Sequence, residues 1–135
     1  MILIVCVDDH NGMMFNHRRQ SQDRVLRADI LELTDGKKLW MNAYSRKQFA
    51  ESDAEKIRVN ETFLDAAGDG EFCFVENADV SGCVERIGEI YLYRWNRDYP
   101  ADVYFPVDLS VWKCVETKEF AGSSHEKITR ERYTR

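Results

Sequence analysis

Ile2-Leu3-Ile4-Val5-Cys6-Val7, followed at once by Asp8-Asp9-His10-Asn11-Gly12, is the stretch on which the fold reading turns. Six apolar residues in a row, mostly β-branched and without polar alternation, suit a strand covered on both faces, the usual condition of a central strand in a parallel sheet. The residues from Asp8 to Gly12 are turn formers and close it. No basic segment precedes the run and two aspartates end it, so it reads as a strand and not as a signal peptide.

Working outward, Ser21 is placed to cap a helix in which Leu26, Ile30 and Leu33 recur at half-buried spacing and which Gly36 ends. Leu39-Trp40-Met41 follows as a short buried strand. Ser45-Arg46-Lys47-Gln48 has the form of a capping box at the start of a second helix, which puts residues 42–44 in a strand-to-helix turn. Residues 52–56 are polar and linker-like, residues 57–59 suit a short strand, and residues 60–67 a brief helix stopped by Gly68. Phe72-Cys73-Phe74-Val75 is a third buried strand. Asp79 is read as the cap of a helix running to Ile87, and Ile90-Tyr91-Leu92-Tyr93-Arg94-Trp95 has the density of a further strand. Alternating strands and helices of this kind predict an α/β fold with a mainly parallel sheet and helices on both faces. Past Asp98 the chain is broken by Pro100, Pro106 and Gly122 into strand-like pieces at 112–115 and 127–133, expected as an antiparallel C-terminal edge.

The chain has 135 residues, 44% apolar and 12% aromatic, enough for one core and expected to form a single domain over 1–135. No apolar run approaches the roughly 20 residues of a membrane helix, so no membrane partner is expected. Cys6, Cys73, Cys83 and Cys114 form no Cys-x-x-Cys pair; Cys6 and Cys73 lie in strand-like runs as core thiols, which fits a reducing cytoplasm. A net charge of −5 argues against general nucleic-acid affinity. His17-Arg18-Arg19 with Arg24 and Arg27 is the one dense basic cluster, either a solvated face or an anion site. His10, His17 and His125 make no paired metal motif, and the turn Asp8-Asp9-His10 is read as a strand end, so no metal is expected. Core packing accounts for Tyr91, Tyr93, Trp95, Tyr99, Tyr104 and Phe105 better than base stacking does; any exposed part of 93–104 would suit a homodimer surface.

With this order of elements, the opening strand with Asp8, Gly12 and Met13 resembles the first strand and mobile loop of dihydrofolate reductases, and Asp23 falls near that family's pterin-binding acid. Asn60-Glu61 through Gly68-Asp69 and the strand Phe72 to Val75 are similar to the helix and strand before the family's double glycine. Ile90-Tyr91-Leu92, Asp102-Val103-Tyr104-Phe105-Pro106, Trp112, His125 and Arg132 are similar to its C-terminal third. The resemblance implies a shortened three-layer dihydrofolate reductase-like fold. It lacks a block between Phe49 and Ile57, where the family holds the adenosine half of NADPH.

The resemblance also places the sites. Asp23 stands where the family has its catalytic acid, with Ile4, Arg24, Arg27, Val75 and Tyr93 as substrate-binding positions and Tyr93 in the place of the hydroxyl that supports the acid. Asn42, Tyr44, Ser45, Glu76 and Asn77 stand at altered cofactor positions, where only the hydroxyl of Ser45 is kept and a carboxylate replaces glycine. Such a carboxylate repels pyrophosphate, and Asp79 is expected to occupy the helix amides that would bind it. An acid in the first turn of a helix is also what the helix dipole favours. The reading is therefore a protein that binds a pterin-like or anionic small molecule, or regulates through it, with no cofactor expected. The alternative is a divergent NADPH-dependent reductase of dihydrofolate or a related heterocycle.

Overall fold

The computed structural model describes residues 1–49 and 55–135, so most of the linker-like stretch 52–56 lies outside the described residues. Strand β1 (Ile2–Val7) runs through the middle of a seven-stranded sheet, parallel to β6 (Phe72–Val75) on one side and β7 (Glu89–Arg94) on the other. Beyond β6 come β4 (Leu39–Met41) and β5 (Ile57–Val59), also parallel. Beyond β7 the sheet turns antiparallel through β10 (Ile128–Thr134) and ends on β9 (Lys113–Phe120).

The unbroken apolar character of β1 is explained by its two neighbouring layers. Leu3, Val5 and Val7 point into one core with Phe63, Val75, Ile87, Leu92 and Trp112. Ile4 points into the other with Leu26, Ile30, Phe49, Phe74 and Tyr93. Helix α1 (Arg24–Leu33) covers the second face with Leu26 and Ile30, both fully buried, whereas α3 (Phe63–Ala66) covers the first through Phe63. This is the α/β arrangement expected, with helices on both faces and an antiparallel C-terminal edge.

Helix boundaries differ in instructive ways. α1 is capped by Asp23 and not by Ser21, because the Asp23 carboxylate accepts from the amides of Val25 and Leu26. The helix α2 (Ala43–Arg46) is capped by Asn42, whose side chain accepts from the Ser45 amide, so the expected Ser45 box does not form. No α-helix follows Asp79. Its carboxylate accepts from the Ser81 amide in a local turn, and only a 3₁₀ turn at Val84–Arg86 appears before β7. The Ser81-Gly82 pair favours turns, and Val80 and Ile87 are buried from an irregular backbone.

A small second sheet, β3-β2-β8, was not expected: β2 (Gly12–Phe15), β3 (Arg18–Arg19) and β8 (Val103–Tyr104). Phe15 pairs with Arg18 across Asn16 and His17, both at positive φ (51° and 62°), a two-residue hairpin of the mirror-turn kind. The turn that holds His17 therefore brings Arg19 back toward the main sheet. Val103 and Tyr104 are exposed on the outer strand, while Tyr93, Trp95 and Phe105 are buried. No helix among the described residues is long and apolar enough to cross a membrane.

Candidate functional site

In an open parallel sheet, ligands favour the crevice at the carboxyl ends of the strands where the chain changes direction across the sheet. Here the chain leaves β1 toward β4 on one side, and after β6 it crosses to β7 on the other. The residues just past the strand ends are Asp8, Asn42, Glu76 and Trp95.

Glu76 is buried, and both of its oxygens are taken by side chains of this chain. Arg19 donates to it twice, from Nε at 2.8 Å and Nη2 at 3.0 Å; Ser45 Oγ donates at 2.8 Å and Gln48 Nε2 at 3.0 Å. The Arg19 guanidinium also lies over the Tyr44 ring, 4.4 Å from its centre, and donates to the Tyr44 carbonyl. Asn42 Nδ2 donates to Asn77 Oδ1 at 2.8 Å. The five residues predicted at altered cofactor positions thus converge in space, bonded to each other and to Arg19 and Gln48. The interior hollow among Cys6, Met13, Arg19, Gln48 and Glu76 measures only about 10 Å³, about the volume needed by one water. Cys6 is half-buried at its edge, not fully in the core.

Asp23 is buried beside the loop between β9 and β10. Its carboxylate accepts from the amides of Ser123 (3.0 Å) and Ser124 (2.8 Å), in addition to Val25 and Leu26, and lies 3.0 Å from His125 Nδ1. Burial alone would raise this carboxyl. The amide of Ser124, the His125 ring and the amides of Ser123 and Leu26 outweigh it and hold the group far below the usual carboxylate range. The other nitrogen of His125, Nε2, lies 3.1 Å from Ser21 Oγ and 3.0 Å from the Tyr99 hydroxyl, and the ring stacks on Trp95.

The remaining predicted substrate positions do not line one open cleft. Ile4 and Val75 are buried in opposite cores. The Tyr93 hydroxyl donates to Asp29 at 2.6 Å, not to Asp23, and Asp29 also receives Lys118 Nζ (2.8 Å) and Arg130 Nη1 (2.9 Å). Arg27 donates to Gln22, and Arg24 is exposed at the start of α1. Sequence reasoning placed Arg19 only in a basic cluster open to an anion, not beside Glu76, and did not mark Gln48, Asp29 or Ser21 as site residues. A basic residue next to the hairpin signal at Asn16 was the available hint for Arg19; the others carried none. Among the described residues, no three His, Cys, Asp or Glu side chains gather closely enough to hold a metal ion.

No protein-family profile matches the chain, and no curated protein matches it by sequence. The solved structure of the dihydrofolate reductase from Enterococcus faecalis, in complex with NADP(H) and RAB-propyl, superposes with a TM-score of 0.70. The chain has a dihydrofolate reductase-like fold. The likeness spans 99% of this chain and 95% of the reductase at 12% sequence identity, which shows a shared fold. At that identity a shared fold says nothing by itself about shared chemistry. In this dihydrofolate reductase-like fold the crevice at the strand ends holds the Arg19–Glu76 pair.

Proposed function

We propose that this dihydrofolate reductase-like chain is a binding or regulatory protein for a small anionic or pterin-like molecule, and that it has no NADPH-dependent turnover. The observation that carries this reading is Glu76, a buried carboxylate already satisfied by Arg19, Ser45 and Gln48. A dinucleotide phosphate would have to break that network and then sit beside a negative charge. The residues present therefore do not fit a pyrophosphate in this crevice.

A groove of about 270 Å³ adjoins the crevice, lined by Phe15, Arg18, Arg19, Gln20 and Tyr99. Cationic and aromatic groups together favour a flat anion, the ring resting on Tyr99 or Phe15 and a carboxylate meeting Arg18. Arg24 and Arg27 offer a second cationic surface on α1. The four free thiols support a reducing compartment such as the cytoplasm.

Calorimetric titration at low salt tests the reading, because screening would otherwise hide weak phosphate contacts. NADPH should give a dissociation constant of millimolar or weaker, whereas pterin-6-carboxylate should bind measurably. Arg18→Ala should weaken that binding if the groove is the site, and the pair Arg24→Ala with Arg27→Ala if the helix face is. Saturable micromolar NADPH binding would overturn the proposal in favour of the reductase.

A further inference from the structure

We propose that Ser21, His125 and Asp23 form an acyl-transfer site that hydrolyses small anionic carboxylic esters, with Ser21 as nucleophile, His125 as general base and Asp23 orienting the imidazole. This goes beyond the binding reading and rests on Ser21, His125 and Asp23, which that reading does not use. The two share only the groove at Phe15, Arg18 and Tyr99.

The geometry assigns each group its role. Ser21 Oγ lies 3.1 Å from His125 Nε2, and Asp23 Oδ2 lies 3.0 Å from His125 Nδ1, so the nucleophile and the orienting acid hold opposite nitrogens of one ring. Asp23 is surrounded by donors alone: the amides of Val25, Leu26, Ser123 and Ser124 and the Ser124 hydroxyl, which also lies 3.2 Å from His125 Nδ1. An ionised carboxylate so placed accepts the proton of Nδ1, which leaves the lone pair of Nε2 toward Ser21. The ring stacks on Trp95 at 4.5 Å between ring centres with planes 24° apart, which favours this orientation.

A purely structural role for His125, tying the β9–β10 loop to α1, would be met by the Asp23 contact alone. It would not require a serine hydroxyl on the second nitrogen, and one stands there at 3.1 Å. Ser21 borders the small interior hollow and is half-buried; Gln20 and Arg19, which also line that hollow, form the wall of the 270 Å³ groove with Tyr99. The Tyr99 hydroxyl lies 3.0 Å from the same Nε2, and its O–H can turn from that nitrogen to a carbonyl oxygen that is gaining charge. Exposed Phe15 offers an apolar rest for the acyl chain, and exposed Arg18 a partner for a carboxylate on it.

In the reaction, Ser21 Oγ forms a bond to the ester carbonyl carbon while its proton passes to Nε2. The tetrahedral species collapses, the bond from carbon to the alcohol oxygen breaks, and the leaving alkoxide takes the proton from Nε2. Water then attacks the acyl-serine, again giving its proton to Nε2. Collapse releases the carboxylic acid and returns the proton to Ser21. The sum is ester plus water to acid plus alcohol, with no other reagent.

The test uses the full chain with an alkyl fluorophosphonate, mapped by peptide mass spectrometry, and with the p-nitrophenyl monoester of succinic acid. One adduct on Ser21 is expected, with ester hydrolysis that falls about 100-fold or more in Ser21→Ala at unchanged melting temperature. Arg18→Ala should lower kcat/KM for the succinate ester about tenfold relative to p-nitrophenyl acetate, a split that loss of folding would not produce. His125→Gln should abolish labelling; if it fails to fold, Ser21→Ala and Arg18→Ala still decide. No adduct, an adduct on another residue, or hydrolysis that survives Ser21→Ala would overturn the proposal. None of these results bears on the NADPH titration, so the two readings fail separately.

Discussion

Replacing Tyr93 with Phe removes a single oxygen, and the consequence depends on what that oxygen does. Its hydroxyl donates to Asp29 at 2.6 Å inside the layer between α1 and the sheet. Lys118 and Arg130 remain as donors to the same carboxylate, so Tyr93→Phe should cost about 1 to 3 kcal/mol and leave the fold intact. Urea denaturation checks this; a change near zero would mean that the hydroxyl contributes nothing net. The resemblance put a hydroxyl at position 93 near an acid, but the acid it serves is Asp29, six residues beyond Asp23. Residue type was readable there. The partner was not, because a buried donor bonds whichever acceptor the packing of α1 on β7 and β10 brings within reach.

Among the elements, the loop between β9 and β10 is bound inward by Asp23 through Ser123, Ser124 and His125. Gly122 allows that approach: a Cβ there would overlap the Asp23 carboxylate and lie 2.9 Å from Ile128 Cδ1. Gly122→Ala is therefore expected to lower stability by about 1 to 3 kcal/mol. Amide exchange at residues 123 and 124 should accelerate with it, as followed by NMR. Unchanged exchange would mean that the loop is held by something other than this contact. The buried strands were legible because dense β-branched and aromatic runs have few other stable settings. The helix expected at 79–87 was not formed, since a carboxylate that can cap a helix can equally close a local turn. The hairpin β2–β3 escaped notice because its basic residues read as a solvated loop, although Asn16 carried the turn signal.

For the molecule as a whole, three buried aspartates set the response to acid. Burial opposes ionisation of Asp8, Asp23 and Asp29, but their hydrogen bonds and cationic partners win, and all three are held below the ordinary carboxyl range. Groups lowered on folding stabilise the native state fully above the unfolded value of about 3.9 and lose that contribution as the pH falls through the folded values. Stability should thus change little from these groups between pH 7 and about 4, then decline steeply below it. Circular dichroism in denaturant at a series of pH values measures this. A stability that rises on acidification would contradict it.

The sequence alone determined the parallel core strands, their order along the chain and the antiparallel edge, each of which rests on local patterns of apolar and turn-forming residues that act over a few positions. The likeness to dihydrofolate reductases entered as a resemblance, through residues such as Asp23, Trp112 and Arg132. The pairings that make the site were decided only by the tertiary structure: Arg19 with Glu76, 57 positions apart, and Asp23 with His125, 102 apart. Hydrophobic patterning selects a layer and a face, and many sequences satisfy it. A buried charge or hydroxyl must instead find a specific partner at about 3 Å, and which partner stands there depends on how the layers close on one another.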